Sequence, residues 1–240
     1  MQKENVSLAG ILFIISAPSG SGKSTLVNQI RSLVDNLEFS VSYTTRAPRG
    51  SETEGREYHF TTREEFERMV RNDEFLEYAE VFGNYYGTAR KSLADAKAHG
   101  KDLLLDIDVQ GAAQVRQKIP DAVSIFVMPP APEILATRLS NRSRAEGNVT
   151  EEVIQRRLAE ARAEIVNYRE YRYILVNDIL ALAEEELLAI VASERIHREG
   201  RQATPDEDRL VKLAEGCRQE NSGERVRPIL NAFGLLDPET

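Results

Sequence analysis

One stretch constrains this chain more than any other: Ile11-Leu12-Phe13-Ile14-Ile15-Ser16-Ala17-Pro18-Ser19-Gly20-Ser21-Gly22-Lys23-Ser24-Thr25. The run Ile11 to Ile15 is short, continuous and rich in β-branched residues, so it reads as a buried strand. A helix is expected from near Gly22, with Leu26, Val27, Ile30, Leu33 and Val34 on roughly one face. Between them lies the phosphate-binding pattern G-x-x-x-x-G-K-[ST], with Ala17 at the first Gly position. Gly20 and Gly22 permit backbone dihedrals that other residues resist, so successive N–H groups can point inward and cradle an anion at the helix N-terminus. Lys23 would set its charge between the β- and γ-phosphates of a nucleotide, and the Ser24 hydroxyl would hold Mg²⁺. Such a turn demands an α/β framework, with a strand feeding it and a helix leaving it.

The chain has 240 residues, enough for one large domain or one domain with an inserted lobe. Its 41% hydrophobic content supports a sizeable core. The net charge of −8 argues against general nucleic-acid binding, which needs a basic face, but permits a local basic pocket for phosphates. The single Cys217 excludes an intrachain disulfide, and His59, His99 and His197 lie too far apart for metal spacing. Met1 to Leu8 has no apolar core of signal-peptide length, and no window approaches a membrane span. The expectation is a cytoplasmic protein with neither nucleic acid nor membrane as partner.

Beyond the turn, Phe39, Val41 and Tyr43 alternate as one short strand, with Arg46 and Arg49 after it, facing either solvent or one anion. Tyr58 to Phe60 reads as a second strand, and Thr62 with Glu65 as a capping box opening a helix through Val70. Phe75 to Phe82 alternates as a strand, and Gly83-Asn84 and Gly87 punctuate the segment after it. A helix is expected from about Lys91 to His99, closed by Gly100. Short strands and turns from about 40 to 90, between segments that alternate strand and helix, are the pattern of a lobe inserted into an α/β domain.

Leu103 to Asp108 returns to the buried-strand pattern. On a strand Asp106 and Asp108 point the same way, and a strand-end carboxylate helps position Mg²⁺ beside a phosphate turn. A helix over Val109 to Lys118, a core strand over Val123 to Val127 and a helix over Glu133 to Leu139 come next. Arg138, Arg142 and Arg144 crowd a polar turn, Ser140 to Asn148, and a helix from Thr150 to about Tyr168 adds Arg156, Arg157 and Arg162. Arginines around a flexible turn suit either a lid over transferring phosphates or a solvated helix pair. Tyr173 to Val176 is the last strand, and Leu180 to His197 a helix with Leu182, Leu187, Ile190 and Val191 on one side. After Arg198 polar residues dominate, with one marginal helix at about Arg209 to Arg218 and an apolar end, Pro228 to Leu236, suited to docking.

Four segments together resemble guanylate kinase in order and spacing, from about residue 10 to 198: Ser16 to Ser24; Ser42-Tyr43-Thr44-Thr45-Arg46-Ala47-Pro48-Arg49; Glu77 to Thr88, with its Gly83-Asn84-Tyr85-Tyr86-Gly87; and Leu105-Asp106-Ile107-Asp108-Val109-Gln110-Gly111. Ala17 in place of the first loop Gly is itself how that family usually reads. The resemblance implies a P-loop NTPase-like α/β fold: a parallel sheet flanked by helices, from residues 10–39 and 90–198, with a helical lid at about 138–157. Residues 40–89 would be an inserted mixed α/β GMP-binding lobe, and 199–240 a C-terminal extension, partly disordered or helical. The implied reaction is Mg²⁺-dependent transfer of the ATP γ-phosphoryl group to GMP or dGMP. By position, Ala17, Pro18, Ser19, Gly20, Ser21, Gly22, Lys23 and Ser24 would hold ATP. Arg46, Arg49, Tyr58 and Tyr86 would hold the GMP phosphate. Ser42, Glu77, Thr88 and Asp108 would read guanine. Lys23, Arg46, Arg138, Arg142 and Arg157 would serve catalysis around the transferring group, and Ser24 with Asp106 would hold Mg²⁺, partly through water. Guanine presents N1–H and N2–H₂ donors side by side, and a carboxylate at Glu77 accepts both, whereas adenine would leave it unpaired. The lid segment Asn141 to Asn148 is longer than the family's, so Arg142 and Arg144 both qualify for its arginine; Arg142 is taken. A non-catalytic phosphopeptide-binding module of the same lineage, or another P-loop small-molecule kinase, is the alternative; the complete ATP cradle argues against the first, and Glu77 with Asp108 against the second.

Overall fold

The computed structural model describes residues 10–81, 83–145 and 150–236, with the side chains of 142–145 outside the description. The expectations for Met1 to Leu8 and Phe82, and for the side chains of Arg142 and Arg144, therefore fall outside the described residues. In chain order the elements are β1 (Leu12–Ser16), α1 (Lys23–Leu33), β2 (Leu37–Phe39), β3 (Tyr43–Thr44), β4 (His59–Phe60), α2 (Arg63–Arg71), β5 (Phe75–Val81), β6 (Asn84–Ala89) and α3 (Arg90–Ala98). Then come β7 (Asp102–Asp106), α4 (Val109–Lys118), β8 (Val123–Met128), α5 (Pro132–Ala145), α6 (Glu151–Ile165), β9 (Tyr173–Val176), α7 (Leu180–Glu199), α8 (Asp208–Gly216) and α9 (Gly223–Ala232). They form an α/β fold with a five-stranded sheet, β2-β7-β1-β8-β9, in which β2–β7 and β8–β9 pair in parallel. β1 and β8 are buried along their whole length, which is why they read as unbroken apolar runs. A second sheet, β4-β3-β6-β5, lies wholly within residues 43–89. No described helix is long and apolar enough to cross a membrane.

The chain divides into two compact units, Met1–Ile14 with Asp35–Ala122, and Ile15–Val34 with Val123–Thr240. In the first, the small sheet has its own core: Phe66 and Met69 of α2 against Phe75 of β5, with Tyr43, Val70 and Tyr85 around them. Phe66 stacks on Phe75 at 4.4 Å and on Tyr85 at 5.2 Å between ring centroids. Gly87 makes room for this: a Cβ there would sit 2.9 Å from the Phe75 ring and 3.0 Å from Phe66. α2 starts as its sequence predicts, with the Thr62 side chain accepting from the Glu65 N–H at 3.2 Å. β5 is the edge of its sheet, and Gln114 of α4 covers it by donating to the Tyr78 carbonyl at 2.7 Å and accepting from its N–H at 3.3 Å.

In the second unit, α7 packs against α8, and the segment after α8 returns to β9. The Ile174 N–H donates to the Cys217 carbonyl at 2.7 Å and the Gln219 N–H to the Arg172 carbonyl at 2.9 Å, so the extension adds a short antiparallel rung to an edge strand. Val226, Ile229, Leu230 and Phe233 are buried. Arg225 Nη2 donates to both carboxylate oxygens of Glu186 of α7 at 2.7 and 2.9 Å, and Arg162 of α6 donates to the Gly234 carbonyl at 2.7 Å.

Several expectations are corrected. The single strand expected over Phe39 to Tyr43 is two, β2 and β3, which leave for different sheets; alternation marks each residue's face but not which partner it pairs with. The segment punctuated by Gly83-Asn84 and Gly87 is the antiparallel strand β6, since Gly87 serves packing, not a turn. Ser140 to Ala145 continue α5 rather than forming a polar turn. The strand β7 ends at Asp106, so Asp108 does not share its face; it is the N-cap of α4, accepting from the Gly111 N–H at 2.8 Å. Leu33 and Leu182, expected on buried faces, are 54% and 55% exposed.

Candidate active site

In the second unit the glycine-rich turn joins β1 to α1. Gly20 and Gly22 have φ of 88° and 87°, a left-handed conformation that disfavours any side chain. At Gly22 a Cβ would also fall 2.2 Å from Asn177 Nδ2. Gly22 caps α1 without a side-chain hydrogen bond, and no acidic residue occupies the first helical turn. The first-turn amides are thereby left for an anion, favoured further by the positive end of the helix dipole.

The turn is held from below by residues of the C-terminal half. Asn177 Nδ2 donates to the Ser21 carbonyl at 2.7 Å, and Arg138 donates to the carbonyls of Ser21 at 3.4 Å and Asn177 at 3.1 Å. Arg138, expected around the transferring phosphoryl group, is thus beside the turn and oriented by two backbone oxygens. Ser21 Oγ and Asn177 Oδ1 are buried without a hydrogen-bond partner. A buried polar atom left unpaired is unfavourable, and a bound polar ligand would relieve it. Ala17 is half-buried, Pro18 buried, Ser19 and Lys23 half-buried and Ser24 exposed at the start of α1. Arg157 lies half-buried on α6.

The first unit gathers two clusters on the small sheet. In one, Arg46 is 8% exposed and its Nη2 donates to both carboxylate oxygens of Glu52, 2.9 Å to each, while Nη1 donates to the Ala47 carbonyl. Its guanidinium lies 5.3 Å over the Tyr58 ring, and Tyr58 meets Tyr86 edge-on at 5.8 Å. Burial works against the Arg46 charge, but Glu52 and Tyr86 outweigh it and raise the pKa. Tyr58 is raised first by burial and then by the Asp106 charge, so its phenol stays protonated as a donor. Arg49 is exposed, with its N–H bonded to Glu52 at 2.8 Å.

In the other cluster, Glu77 of β5 is 3% exposed and pairs across the sheet with Thr88 of β6. Burial, and then the Asp108 charge, push its carboxyl up to about 7, against the influence of Thr88 and Lys118. The Thr88 hydroxyl lies near enough to favour the charged form, yet it makes no hydrogen bond of good geometry and is fully buried. The pairing Tyr43↔Gly87 places Ser42 one step beyond, alongside Thr88. Ser42, Thr88 and Glu77 therefore form a row across the sheet, next to Asp108 at the start of α4.

Sequence reasoning misses two contributors to these clusters. Asn177 stands after the last strand, where ligands of open α/β sheets bind, so its position carries a signal. Glu52 sits in a polar loop with none. Among the described residues no group of three or more His, Cys, Asp and Glu could hold a metal. A hydroxyl with one carboxylate still suits Mg²⁺, which keeps waters and takes its other ligands from substrate phosphates.

A family model described as guanylate kinase matches residues 10–194. The guanylate kinase of Koribacter versatilis is 54% identical over 97% of this chain and 100% of its own length. That of Escherichia coli is 46% identical over 85% of this chain and 97% of its own. The crystal structure of guanylate kinase from Anaplasma phagocytophilum aligns with a TM-score of 0.60 and 32% identity, over 96% of this chain and 98% of that one.

Proposed function

The chain belongs to the guanylate kinase family and is a nucleoside monophosphate kinase, an ATP:GMP phosphotransferase; on that premise we propose which of its residues carry the reaction. The P-loop Ala17 to Ser24 binds the ATP phosphates through its backbone N–H groups, with Lys23 adding its positive charge. Arg46, Arg49, Tyr58 and Tyr86 hold the GMP phosphate. A phosphate offers Arg46 Nη2 a pair of oxygens like the one Glu52 offers it. Glu77 accepts the guanine N1–H and N2–H₂ donors, with Ser42, Thr88 and Asp108 around the base. Ser24 and Asp106 hold Mg²⁺, which when bound neutralises phosphate charge.

The reaction asks little covalent chemistry of the protein. A GMP phosphate oxygen attacks the γ-phosphorus of ATP directly as the bond to the β-phosphate oxygen breaks. Lys23, Arg138, Arg157 and the lid Arg142 stabilise charge on the transferring oxygens, and positioning supplies the rest. Residues 40–89 act as the GMP lobe, 138–157 as the lid, and dGMP serves as a second acceptor. We infer a cytoplasmic enzyme.

The observation that supports this best is the buried Glu77 carboxyl, held out of water beside Thr88 and Asp108, where a polar ligand offering two donors would pair it. A phosphopeptide-binding module needs no braced ATP cradle. The test is ADP release with Mg-ATP and GMP, dGMP, AMP, UMP or CMP. Turnover is expected with GMP and dGMP; equal or faster turnover with AMP would overturn the assignment of Glu77.

A further inference from the structure

We propose that Gly111 is a specificity-determining position of the guanine site, because the space where its side chain would be is the slot that holds the Glu77 carboxylate. The inference rests on the reading of Glu77 as the guanine acceptor. Gly111 is the third residue of α4, and its N–H donates to the Asp108 cap at 2.8 Å. It is not among the glycines with positive φ, so its backbone conformation is open to any residue. At such a helical position Ala is favoured over Gly by about 0.5–1 kcal/mol. Glycine here therefore needs a reason other than the backbone.

The reason is space. A Cβ on Gly111 would lie 2.3 Å from Glu77 Oε2, 2.9 Å from Glu77 Cδ and 3.2 Å from Asp108 Oδ1. Both carboxylates assigned to guanine thus converge on one α-carbon. What the added methyl meets is the far end of a side chain. At Gly10 the contrast is plain: a Cβ would fall 1.8 Å from the Lys101 carbonyl oxygen, which cannot yield. At Gly111 the carboxylate yields instead. Glu77 is 3% exposed, and the wall of its pocket on this side is the helix turn itself. An added methyl therefore pushes the carboxylate off its line without disturbing the strand that carries it.

The experiment compares Gly111→Ala, Glu77→Gln and the double variant in the full chain. Steady-state kinetics are measured with GMP, with IMP (which lacks the 2-amino donor), and with ATP. For Gly111→Ala, KM for GMP is expected to rise about tenfold or more, since misplacement of a reacting or binding group by about 1 Å is this damaging. KM for ATP should stay within about twofold. The preference for GMP over IMP in kcat/KM should shrink, because a displaced carboxylate no longer meets both donors. In the Glu77→Gln background the added methyl should change KM for GMP by less than about twofold, the signature of two residues acting through one contact.

A Gly111→Ala enzyme with unaltered KM and GMP/IMP preference would overturn the slot, as would one in which ATP and GMP suffer alike. If the substitution lowers the unfolding midpoint, adding Glu77→Ala, which empties the slot, should restore it, and failure to do so also counts against the proposal. If Glu77→Gln itself leaves KM for GMP unchanged, the reading of Glu77 falls and the slot falls with it, an outcome distinct from failure of Gly111 alone.

Discussion

Glu77 pays for its place in the guanine site with stability, and the two effects titrate together. Burial raises its carboxyl from 4.5 to about 7 in the folded protein. Between those values the folded chain keeps a proton that the unfolded chain has released. The stabilisation is therefore complete below about pH 4.5 and is lost as pH rises through about 7. At about 1.4 kcal/mol per pH unit, the loss totals about 3 kcal/mol. Glu77→Gln removes this titration. Its unfolding free energy, from urea melts between pH 4.5 and 8, should fall with pH by about 3 kcal/mol less than that of the parent chain. Guanine binding needs the ionised form, so function runs the other way. At pH 6 only about one tenth of a group titrating near 7 is ionised, and KM for GMP should be about tenfold higher than at pH 8. The GMP phosphate also titrates in this range, but it does so equally against both enzymes, so the difference between them isolates Glu77. If parent and variant show parallel stability curves and parallel KM profiles across this window, the account of a buried, proton-holding carboxyl is wrong.

Asn177→Ala removes the 2.7 Å bond to the Ser21 carbonyl and one contact side of Gly22. The loosened turn should raise KM for ATP about tenfold or more while KM for GMP moves little; equal effects on both would refute a role specific to the P-loop. Ending the chain after Glu199 removes one backbone hydrogen bond from β9 and one from Arg172 just before it, and leaves Glu186, now 14% exposed at its side chain, without Arg225. A loss of at least about 3 kcal/mol is expected, lowering Tm by about 6–12 °C in calorimetry, and an unchanged Tm would mean the extension only rests on the surface. In the full chain, burial holds the Cys217 thiol at about 11, so an exposed-thiol reagent at pH 8 should modify it only as fast as the protein opens.

What is legible in the sequence depends on the range of the interactions. The P-loop, the Thr62 and Thr150 caps and the strand β8 rest on neighbours in sequence, and each is readable from a short window. The break between β2 and β3 is not. Phe39 and Tyr43 carry one alternation, and only the pairing of Phe39 with Leu104 and of Tyr43 with His59 separates them. β6 is hidden for a related reason: Gly87 looks like a turn until the Phe66 and Phe75 rings that occupy its missing side chain are seen. The extension's role is illegible because its acceptor, the edge of β9, lies over forty residues upstream.

The positions that break local rules divide into two kinds. Leu33 and Leu182 are apolar residues left exposed, and nothing in the structure explains them. Gly20 and Gly22 in left-handed conformations, Gly111 inside a helix turn, a buried carboxyl at Glu77, and unpaired buried atoms at Ser21, Thr88 and Asn177 are each unfavourable for the folded chain alone. Those of the second kind named here stand in the P-loop and guanine clusters, while Gln29 and Ser40 carry buried atoms without a partner elsewhere. A pair of polar ligands would relieve the ones in the two clusters. The relief should be measurable: GMP should stabilise the chain against heat less below pH 7 than above it, and Glu77→Gln should reduce that pH dependence to the part the GMP phosphate itself contributes. The same pH dependence in the parent chain and in Glu77→Gln would break the link between the buried carboxyl and the base it is assigned to read.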